Sequence, residues 1–266
     1  MSGQYQAEIL NREEIYAGVI RLTVRAPEIA EAGRPGQFVM MRCGSSHDPL
    51  LSRPFSLHQC FHDGRVQVLF KVIGEGTRRL AALRSGERVA VVGPLGRGFS
   101  LSAPPEGVIM TLIGGGLGIA PFMFLAKALR KRLPDRPLEL LLGAGSGEEI
   151  KHLAKEFRDL GLNPLVATDD GSMGHHGLVT ELLGENGERE RSVFCCGPHP
   201  MMAAVASICR RRQWQCQVSL ETMMACGISA CLGCATKGKK AGDQNPGYLH
   251  VCKNGPVFSA MDLEWS

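Results

Sequence analysis

The chain has 266 residues, a net charge of +4 and 6% aromatic residues. This length is enough for two domains with separate cores and a small appendage. The modest charge and the few aromatic side chains argue against a nucleic-acid partner. No basic segment followed by an apolar one stands near Met1, so we predict no signal peptide and expect the protein in the cytoplasm.

The first hundred residues contain short β-rich runs separated by turn signals. Regularly spaced short strands with Gly and Pro between them predict a small antiparallel barrel. We expect this first domain to span residues 1–102 and to end before Pro104 and Pro105. The clearest runs are 18–24, 37–41 and 66–72.

Four consecutive residues in this region, Arg53, Pro54, Phe55 and Ser56, fit a flavin. Along an extended segment the Arg could neutralise a pyrophosphate, and the ring of Phe55 could lie against an isoalloxazine. The hydroxyl of Ser56 could then hydrogen-bond near N5. An Arg-Pro turn before a strand is also common, so this simpler interpretation stays open.

A second phosphate-binding pattern follows at Gly74-Glu75-Gly76-Thr77, ahead of a helical pattern over 78–83. A glycine-rich turn at a helix start presents backbone N–H groups, and the Thr77 hydroxyl could reach a phosphate oxygen. The alternative is that Thr77 only caps the helix.

From residue 107 the pattern changes to alternating strands and helices. This alternation predicts a parallel sheet in a nucleotide-binding domain over residues 107–217. The uncharged run 107–126 approaches the length of a membrane span. Because glycines and Pro121 interrupt it, we interpret it as a strand, a turn and a helix. Strands are predicted at 108–113, 138–142, 164–168 and 192–196, and helices at 122–130 and 148–160.

The turn after the first of these strands contains Gly115, Gly116 and Gly118. There the backbone could approach a pyrophosphate at a helix N-terminus, although the run is not the spaced G-x-G-x-x-G pattern. After the strand 164–168 stand Asp169 and Asp170. Two carboxylates would repel a 2′-phosphate and accept hydrogen bonds from a ribose diol, which predicts NAD rather than NADP. The alternative is that the aspartates only cap a turn.

Four cysteines form C-x4-C-x2-C followed, after seventeen residues, by a fourth Cys. This spacing is typical of plant-type ferredoxins, and the small residues between the first three could wrap closely around a [2Fe–2S] cluster. We therefore predict a small cluster domain over 218–266. A structural zinc site or disulfides are the alternatives, and the other six cysteines lack ligand spacing. The predicted ligands are Cys226, Cys231, Cys234 and Cys252.

The flavin patterns, together with Pro35–Phe38 and Gly93–Phe99, resemble the FAD-binding half of the ferredoxin–NADP reductase superfamily. This resemblance implies that Phe70, Lys71 and Val72 also line the flavin. It further implies that Cys196, which precedes Gly197 and Pro198, lies where the nicotinamide meets the flavin. The alternative is that Cys195 and Cys196 are ordinary buried strand residues.

Nearly the whole chain, with the signatures 221–227 and 251–258, resembles the electron-transfer subunits of class B dihydroorotate dehydrogenases. The resemblance implies an FMN-containing catalytic partner that oxidises dihydroorotate in pyrimidine biosynthesis. Electrons would then pass through the cluster and FAD to NAD+, in an assembly of two copies of each subunit.

Two departures from that family bear on the partner surface. Residues 237–247 form an insert rich in Lys and Gly, which we interpret as a solvated loop rather than a partner-facing patch. Asn254 replaces the family's acidic residue. The lysines of the insert are Lys237, Lys239 and Lys240.

Other assignments stay open. Subunits of bifurcating transhydrogenases, sulfide dehydrogenases and anaerobic sulfite reductases share this order of cofactors. A zinc-stabilised binding module without redox chemistry is the alternative from a different class, and it would be colourless when purified.

Overall fold

A computed structural model describes residues 2–44, 48–184, 189–239 and 247–265. The N-terminal region is a closed antiparallel barrel of six strands, as the sequence predicts. Alternate residues of its strands point inward, which gives a core of branched and aromatic apolar side chains. In order around the barrel, the strands are β1 (Gly3–Tyr16), β2 (Val19–Arg25), β5 (Arg65–Lys71), β4 (Arg53–Cys60), β3 (Phe38–Met41) and β6 (Arg88–Leu95).

Two short helices belong to the barrel region. Helix α1 (Pro27–Ala32) starts with a proline in its first turn, where no hydrogen bond from the backbone nitrogen is needed. Helix α2 (Glu75–Ala81) follows the glycine-rich turn and carries Glu75 in its first turn, next to the positive end of the helix dipole.

The second region is a seven-stranded sheet covered on both faces. Every residue of its central strand is buried, which explains why that strand is uniformly apolar or small. The remaining strands of the chain are β7 (Ile109–Gly115), β8 (Leu138–Ala144), β9 (Leu165–Thr168), β10 (His175–His176), β11 (Arg191–Cys196), β12 (Gln215–Ser219), β13 (Ala235–Lys237), β14 (Tyr248–His250) and β15 (Val257–Ser259).

The strand order in this sheet is β10-β9-β8-β7-β11-β12-β15. One face of the sheet packs on two long helices and on the barrel, and the other face packs on a third long helix and on the C-terminal segment. The helices of this half of the chain are α3 (Phe122–Arg132), α4 (Gly147–Asp159), α5 (Glu181–Gly184), α6 (His199–Arg212) and α7 (Val251–Asn254).

The C-terminal segment is joined to the sheet more closely than the predicted domain division suggests. Strand β12 was not predicted, and the boundary expected at residue 217 falls within it. Strand β15 then returns from the predicted cluster domain and pairs antiparallel with β12. A three-residue strand carries too little periodicity to be identified from sequence.

Polar contacts join the barrel to the nucleotide-binding sheet. The Arg21 guanidinium donates to both carboxylate oxygens of Glu156 at 2.7 Å. Lys127 donates to the Gln59 side chain at 2.9 Å. His58 Nδ1 lies 2.6 Å from the carbonyl oxygen of Ala120. These contacts, with the apolar side chains around them, hold the two regions in one arrangement.

The uncharged run 107–126 contains all of β7, a 3₁₀ turn (Gly116–Ile119) and the first residues of α3. Within the described ranges, the helices are too short or too polar to cross a membrane.

The buried imidazole of His58 makes stability depend on pH. Burial, with the charges of Arg21 and Lys127, lowers the pKa of His58 from 6.5 to about 4, against the opposing hydrogen bond to Ala120. The unfolded chain therefore binds an additional proton between these values, and the free energy of unfolding falls as the pH falls. Between pH 7 and pH 5, the titration of this residue alone should lower the free energy of unfolding by about 2 kcal/mol.

Urea unfolding at pH 7 and pH 5 checks this prediction when the protein is compared with its His58→Asn variant. The variant should lose less stability on acidification by about that amount, because Asn does not titrate. The other charged groups nearby, including Glu156, are shared by both proteins and cancel. Equal losses in the two proteins would contradict the prediction.

Candidate functional site

A cleft of about 470 Å³ lies at the carboxyl ends of the sheet strands. Such crevices at strand ends are the usual ligand sites of open α/β sheets. Four of the predicted nucleotide-binding residues line this cleft: Gly115, Gly116, Gly118 and Gly197. Its other side is lined by residues of the C-terminal segment, which include Glu221, Thr222, Ala235, Thr236 and Val251.

The shape of this cleft depends on the close contact of two loops. A Cβ atom at Gly118 would lie 2.2 Å from the carbonyl oxygen of Cys196 and 2.5 Å from the Cα atom of Gly197. Only glycine allows this approach. Gly116 has a φ of +53°, and the space where its Cβ would lie is open. Gly116 therefore offers its backbone to a ligand, whereas Gly118 serves the packing of the two loops.

Cys196 ends β11, between Gly114 of β7 and Ser219 of β12. Its side chain is buried, and this burial raises the pKa of Cys196 to about 12, with a further contribution from the Glu221 carboxylate. The predicted catalytic residue is thus a neutral thiol at physiological pH. Cys195 is fully buried on the strand, and neither Cys195 nor Cys196 is among the residues that line the cleft.

Glu221 and Thr222 were noted in the sequence only as part of a family signature, yet both line the cleft. Glu221 is the one acidic side chain among the described residues that line it. The residues around it gave no signal of this position, because the chain reaches the cleft only through the unpredicted strand β12.

The two aspartates after β9 differ in their contacts. Asp170 Oδ1 accepts hydrogen bonds from the backbone nitrogen of Ser172 at 2.9 Å and from its hydroxyl at 2.6 Å. Hydrogen bonds from Ser172 lower the pKa of Asp170, so this residue caps a turn, as the alternative interpretation has it. The Asp169 side chain is exposed at the sheet edge.

The four-residue flavin pattern begins β4. Phe55 lies in the barrel core with 9% of its surface exposed, and its ring is 5.0 Å from that of Phe70. Successive side chains on a strand alternate between faces, so Arg53 and Phe55 share one face and Ser56 has the other. Phe55 therefore leaves little of its ring exposed to a ligand. The requirement for large apolar side chains inside the barrel accounts for this placement.

The glycine-rich turn and the arginine of that pattern lie together. A Cβ at Gly76 would stand 3.3 Å from Nε of Arg53, so the absence of a side chain at Gly76 lets the turn pack closely on the guanidinium. A guanidinium beside a glycine-rich turn is a combination that can bind a phosphate group. The Thr77 hydroxyl donates to the carbonyl of Gly74 at 2.9 Å and accepts from two backbone nitrogens. Thr77 therefore orders the turn through its side chain.

The third group of predicted flavin residues ends β5. The Phe70 side chain is buried in the barrel, Lys71 is exposed and Val72 is partly buried. Phe70 can therefore face a ligand only with its backbone, while Lys71 can offer its side chain.

A second cleft, of about 400 Å³, was not predicted. It is next to the Gly76 turn, because Cys43 lines this cleft and lies 3.0 Å from the position of a Gly76 Cβ. Three arginines give the cleft a positive lining suited to phosphate groups. They come from distant parts of the sequence and form no local motif: Arg42, Arg79 and Arg88.

The cysteine loop, residues 226–234, and the residues around Cys252 present backbone N–H groups to sulfur atoms. The N–H groups of Ser229, Cys231 and Cys252 donate to the sulfur atoms of Cys252, Cys226 and Cys234 at 3.2, 3.3 and 3.4 Å. Such donors stabilise thiolates and tune the potential of an iron–sulfur cluster. The loop is also strained, since Ser229 and Leu232 have φ values of +66° and +60°.

The four predicted ligands interact with one another. Burial and a hydrogen bond with Cys234 raise the pKa of Cys252 to about 11, with further contributions from Cys234 and Cys226. For Cys226, burial acts to raise the pKa, but backbone hydrogen bonds outweigh it and bring the pKa to about 7. These four thiols therefore form one group.

Among the described residues, no three or more His, Cys, Asp or Glu side chains are arranged to hold one metal ion. A [2Fe–2S] cluster would take the four thiolates around two iron atoms.

The cysteine loop packs directly on the barrel. A Cβ at Gly227 would lie 2.5 Å from Cγ of Met40 in β3. Cys234 and Cys252 are buried in the same core cluster as Phe38, Met40 and Leu95 of the barrel. The cluster ligands thus contact the flavin-binding region as well as the nucleotide sheet.

The insert between the third and fourth ligands is a hairpin where the structure describes it. Strands β13 and β14 pair antiparallel, with Lys237 opposite Tyr248. The backbone nitrogen of Lys239 donates to the backbone carbonyl oxygen of Asp262 at 2.8 Å. Lys240 lies outside the described residues. Lys237 thus belongs to a strand rather than to a loop, and it is exposed, so its interpretation as a solvated residue stays a prediction.

Comparisons with protein families match two regions of the chain. Residues 221–264 match the iron–sulfur cluster binding domain of dihydroorotate dehydrogenase B. Residues 112–207 match the oxidoreductase NAD-binding domain. The first match covers all four predicted cysteine ligands.

Two relatives are similar over nearly their whole length. The dihydroorotate dehydrogenase B (NAD(+)) electron transfer subunit of Caldanaerobacter subterraneus subsp. tengcongensis is 36% identical, over 99% of this chain and 99% of the relative. The subunit of the same name from Geobacillus thermodenitrificans is also 36% identical, over 99% of each chain.

Solved structures show the same fold. An NADH-dependent reduced ferredoxin–NADP oxidoreductase, studied for flavin-based electron bifurcation, has a TM-score of 0.82 and 26% identity, over 100% of this chain and 92% of its own. A ferredoxin–NADP+ reductase from Neisseria gonorrhoeae has a TM-score of 0.65 and 17% identity, over 79% and 91%.

Asp169 provides a direct test of nucleotide choice. Replacing it by Ser removes a carboxylate that would repel a 2′-phosphate, a repulsion of about 1 kcal/mol at a solvent-exposed position. We expect the ratio of kcat/KM for NADH over NADPH to fall about fivefold. The matched control is Asp159→Asn, an exposed carboxylate at the end of α4, which should leave the ratio unchanged. An unchanged ratio in Asp169→Ser would contradict the assignment.

Proposed function

The chain belongs to the family of electron transfer subunits of NAD-dependent dihydroorotate dehydrogenase B, and we propose that it connects a dihydroorotate-oxidising partner subunit to NAD+. The partner carries FMN and converts dihydroorotate to orotate in pyrimidine biosynthesis. This chain takes up the electrons at its cluster and delivers them to the nucleotide. The assembly contains two copies of each subunit.

One observation carries this proposal: the C-terminal segment that holds the four cysteines contacts both other regions of the chain. Gly227 packs on Met40 of the barrel, and Ala235, Thr236 and Val251 line the nucleotide cleft. Short distances between redox groups follow from this arrangement, because no intervening layer separates the three regions.

The barrel residues supply an anion-binding site for FAD. Arg53, which lies against the Gly76 turn, would hold the pyrophosphate, and the cleft of Arg42, Arg79 and Arg88 extends the positive lining. Bound there, FAD exchanges a hydride with nicotinamide and single electrons with an iron–sulfur centre, so it joins the two kinds of transfer. Pro54, Ser56, Lys71 and Val72 lie along the same strands and would border the ring system.

The nucleotide cleft supplies the remaining groups. Gly116 offers its backbone to the pyrophosphate of NAD, and Gly115, Gly118 and Gly197 shape the cleft. Cys196, at the end of β11 behind this lining, would bring a neutral thiol near the nicotinamide ring. Asp169 would accept hydrogen bonds from the ribose diol.

The surface around the cysteine loop fits a protein partner. Among the large apolar side chains that are exposed, several cluster on this segment. Exposed apolar patches of this kind mark interaction sites. The residues are Met223, Ile228, Leu232 and Tyr248, with exposed fractions of 90, 58, 54 and 65%.

The cytoplasm is the compartment we assign. All ten cysteines are free, and most are buried. Unpaired cysteines in this number are typical of a reducing compartment.

A second function rests on the structural similarity to the NADH-dependent reduced ferredoxin–NADP oxidoreductase. In that alternative the same cofactors would serve a ferredoxin-linked complex. The greater similarity in sequence, 36% over 99% of the chain, favours the dihydroorotate dehydrogenase family.

The first prediction from this proposal concerns the cluster. Cys226→Ala should lower the iron content and abolish dihydroorotate-dependent NAD+ reduction by the two-subunit complex. Reduction of FAD by NADH should stay within about threefold, because it does not require the cluster. The matched control, Cys60→Ala, removes a cysteine outside the loop and should retain iron and activity. Retained activity in a cluster-free variant would overturn the proposal.

The second prediction concerns the partner surface. Met223→Glu places a charge on the exposed apolar segment and should weaken binding of the catalytic subunit about tenfold or more. Iron content and NADH oxidation should not change. Leu178→Glu, at a residue of the nucleotide domain that is 59% exposed, is the control and should bind normally. Equal affinities for the two variants would show that the partner binds elsewhere.

A further inference from the structure

His58 has an unusual position in β4. Leu57 pairs with Val68 of β5 and Gln59 pairs with Gln67, so two steps along β4 oppose one step along β5. His58 is therefore the additional residue of a β-bulge. Bulges redirect a side chain and are frequent beside active sites. Here the bulge turns the imidazole out of the barrel and toward the nucleotide domain.

The imidazole reaches one specific atom of that domain. His58 Nδ1 lies 2.6 Å from the carbonyl oxygen of Ala120, which ends the 3₁₀ turn Gly116–Ile119 of the nucleotide loop. A carbonyl oxygen can only accept, so Nδ1 carries the proton and donates it. The other nitrogen, Nε2, is buried without a partner among the described residues.

The surroundings hold this imidazole in its neutral form. His58 is 2% exposed, and the cationic groups of Arg21 on β2 and Lys127 on α3 act on it, with Glu156 of α4 beside them. A second proton on Nε2 would place an unpaired charge in this interface. The single hydrogen bond from Nδ1 is thus maintained over the pH range in which the protein works.

This hydrogen bond joins the two regions that must meet for electron transfer. His58 follows Ser56 by two residues on β4, and Ala120 follows Gly118, which packs on the backbone of Cys196. An interaction between β4 and the nucleotide loop therefore fixes the loop relative to the predicted flavin-binding strand.

We propose that His58 is a positioning residue that, through its hydrogen bond to Ala120, sets the distance between nicotinamide and flavin. The inference rests on the proposed function. The reaction is the transfer of a hydride, two electrons and one proton, from the nicotinamide C4 of NADH to FAD, with a second proton taken from solvent. Small displacements of a bound reactant can cost up to about a hundredfold in rate.

Three substitutions separate this role from a general effect on packing. In His58→Asn the amide nitrogen takes the place of Nδ1 and keeps the donor. In His58→Gln the amide lies near the place of Nε2, and in His58→Leu no donor remains. Lys127→Met is the matched control, because it removes another hydrogen bond across the same interface without contacting the loop.

The experiment uses the full chain carrying FAD and its cluster, mixed anaerobically with NADH in a stopped-flow instrument. His58→Leu and His58→Gln should reduce FAD at least about tenfold more slowly, with the Kd for NADH within about threefold. His58→Asn and Lys127→Met should keep the rate. The long-wavelength absorbance of the nicotinamide–flavin charge-transfer complex should weaken in the Leu and Gln variants and return in the Asn variant.

Amide hydrogen exchange gives a readout that needs no cofactor. Exchange in residues 116–120 should be faster in the Gln and Leu variants than in the Asn variant. If His58→Leu does not fold, the comparison of Asn with Gln decides the matter. Equal rates and equal exchange in these two variants would overturn the inference. If NADH fails to reduce FAD in the unmodified protein, the proposed function itself fails.

Discussion

The contact between the Gly118 turn and the backbone of Cys196 and Gly197 is the constraint on which the nucleotide cleft depends. It closes one end of β7 against the end of β11 and leaves the open space at Gly116. Because β11 also pairs with β12, and β12 with β15, the same contact fixes the position of the C-terminal segment. The cysteine loop is held between that segment and Met40 of the barrel.

The three regions of the chain pack against one another. Residues of the barrel belong to the two apolar cores that cover the faces of the sheet. Polar contacts at Arg21, Lys127 and His58 add directional interactions at one of these interfaces. This arrangement suits a protein that passes electrons between three groups, because each transfer requires a short and constant distance.

Much of the fold could be predicted from the sequence because local signals were strong. Uniformly apolar runs identified the buried parallel strands, and the spacing of Cys226, Cys231 and Cys234 identified the cluster loop. Several features depend on contacts between distant residues and could not be predicted. Strand β15 is too short to be recognised. The arginines of the second cleft come from three separate parts of the sequence. The bulge at His58 depends on the pairing of β4 with β5. The inward position of Phe55 likewise follows from the barrel core.

Anaerobic reduction of the two-subunit complex by dihydroorotate, followed by electron paramagnetic resonance and flavin absorbance, tests the central claim most directly. The account predicts that dihydroorotate reduces the cluster of this chain only when the catalytic subunit is present, and that FAD is reduced only when the cluster is intact. Reduction of FAD by dihydroorotate in complexes that lack the cluster would contradict it.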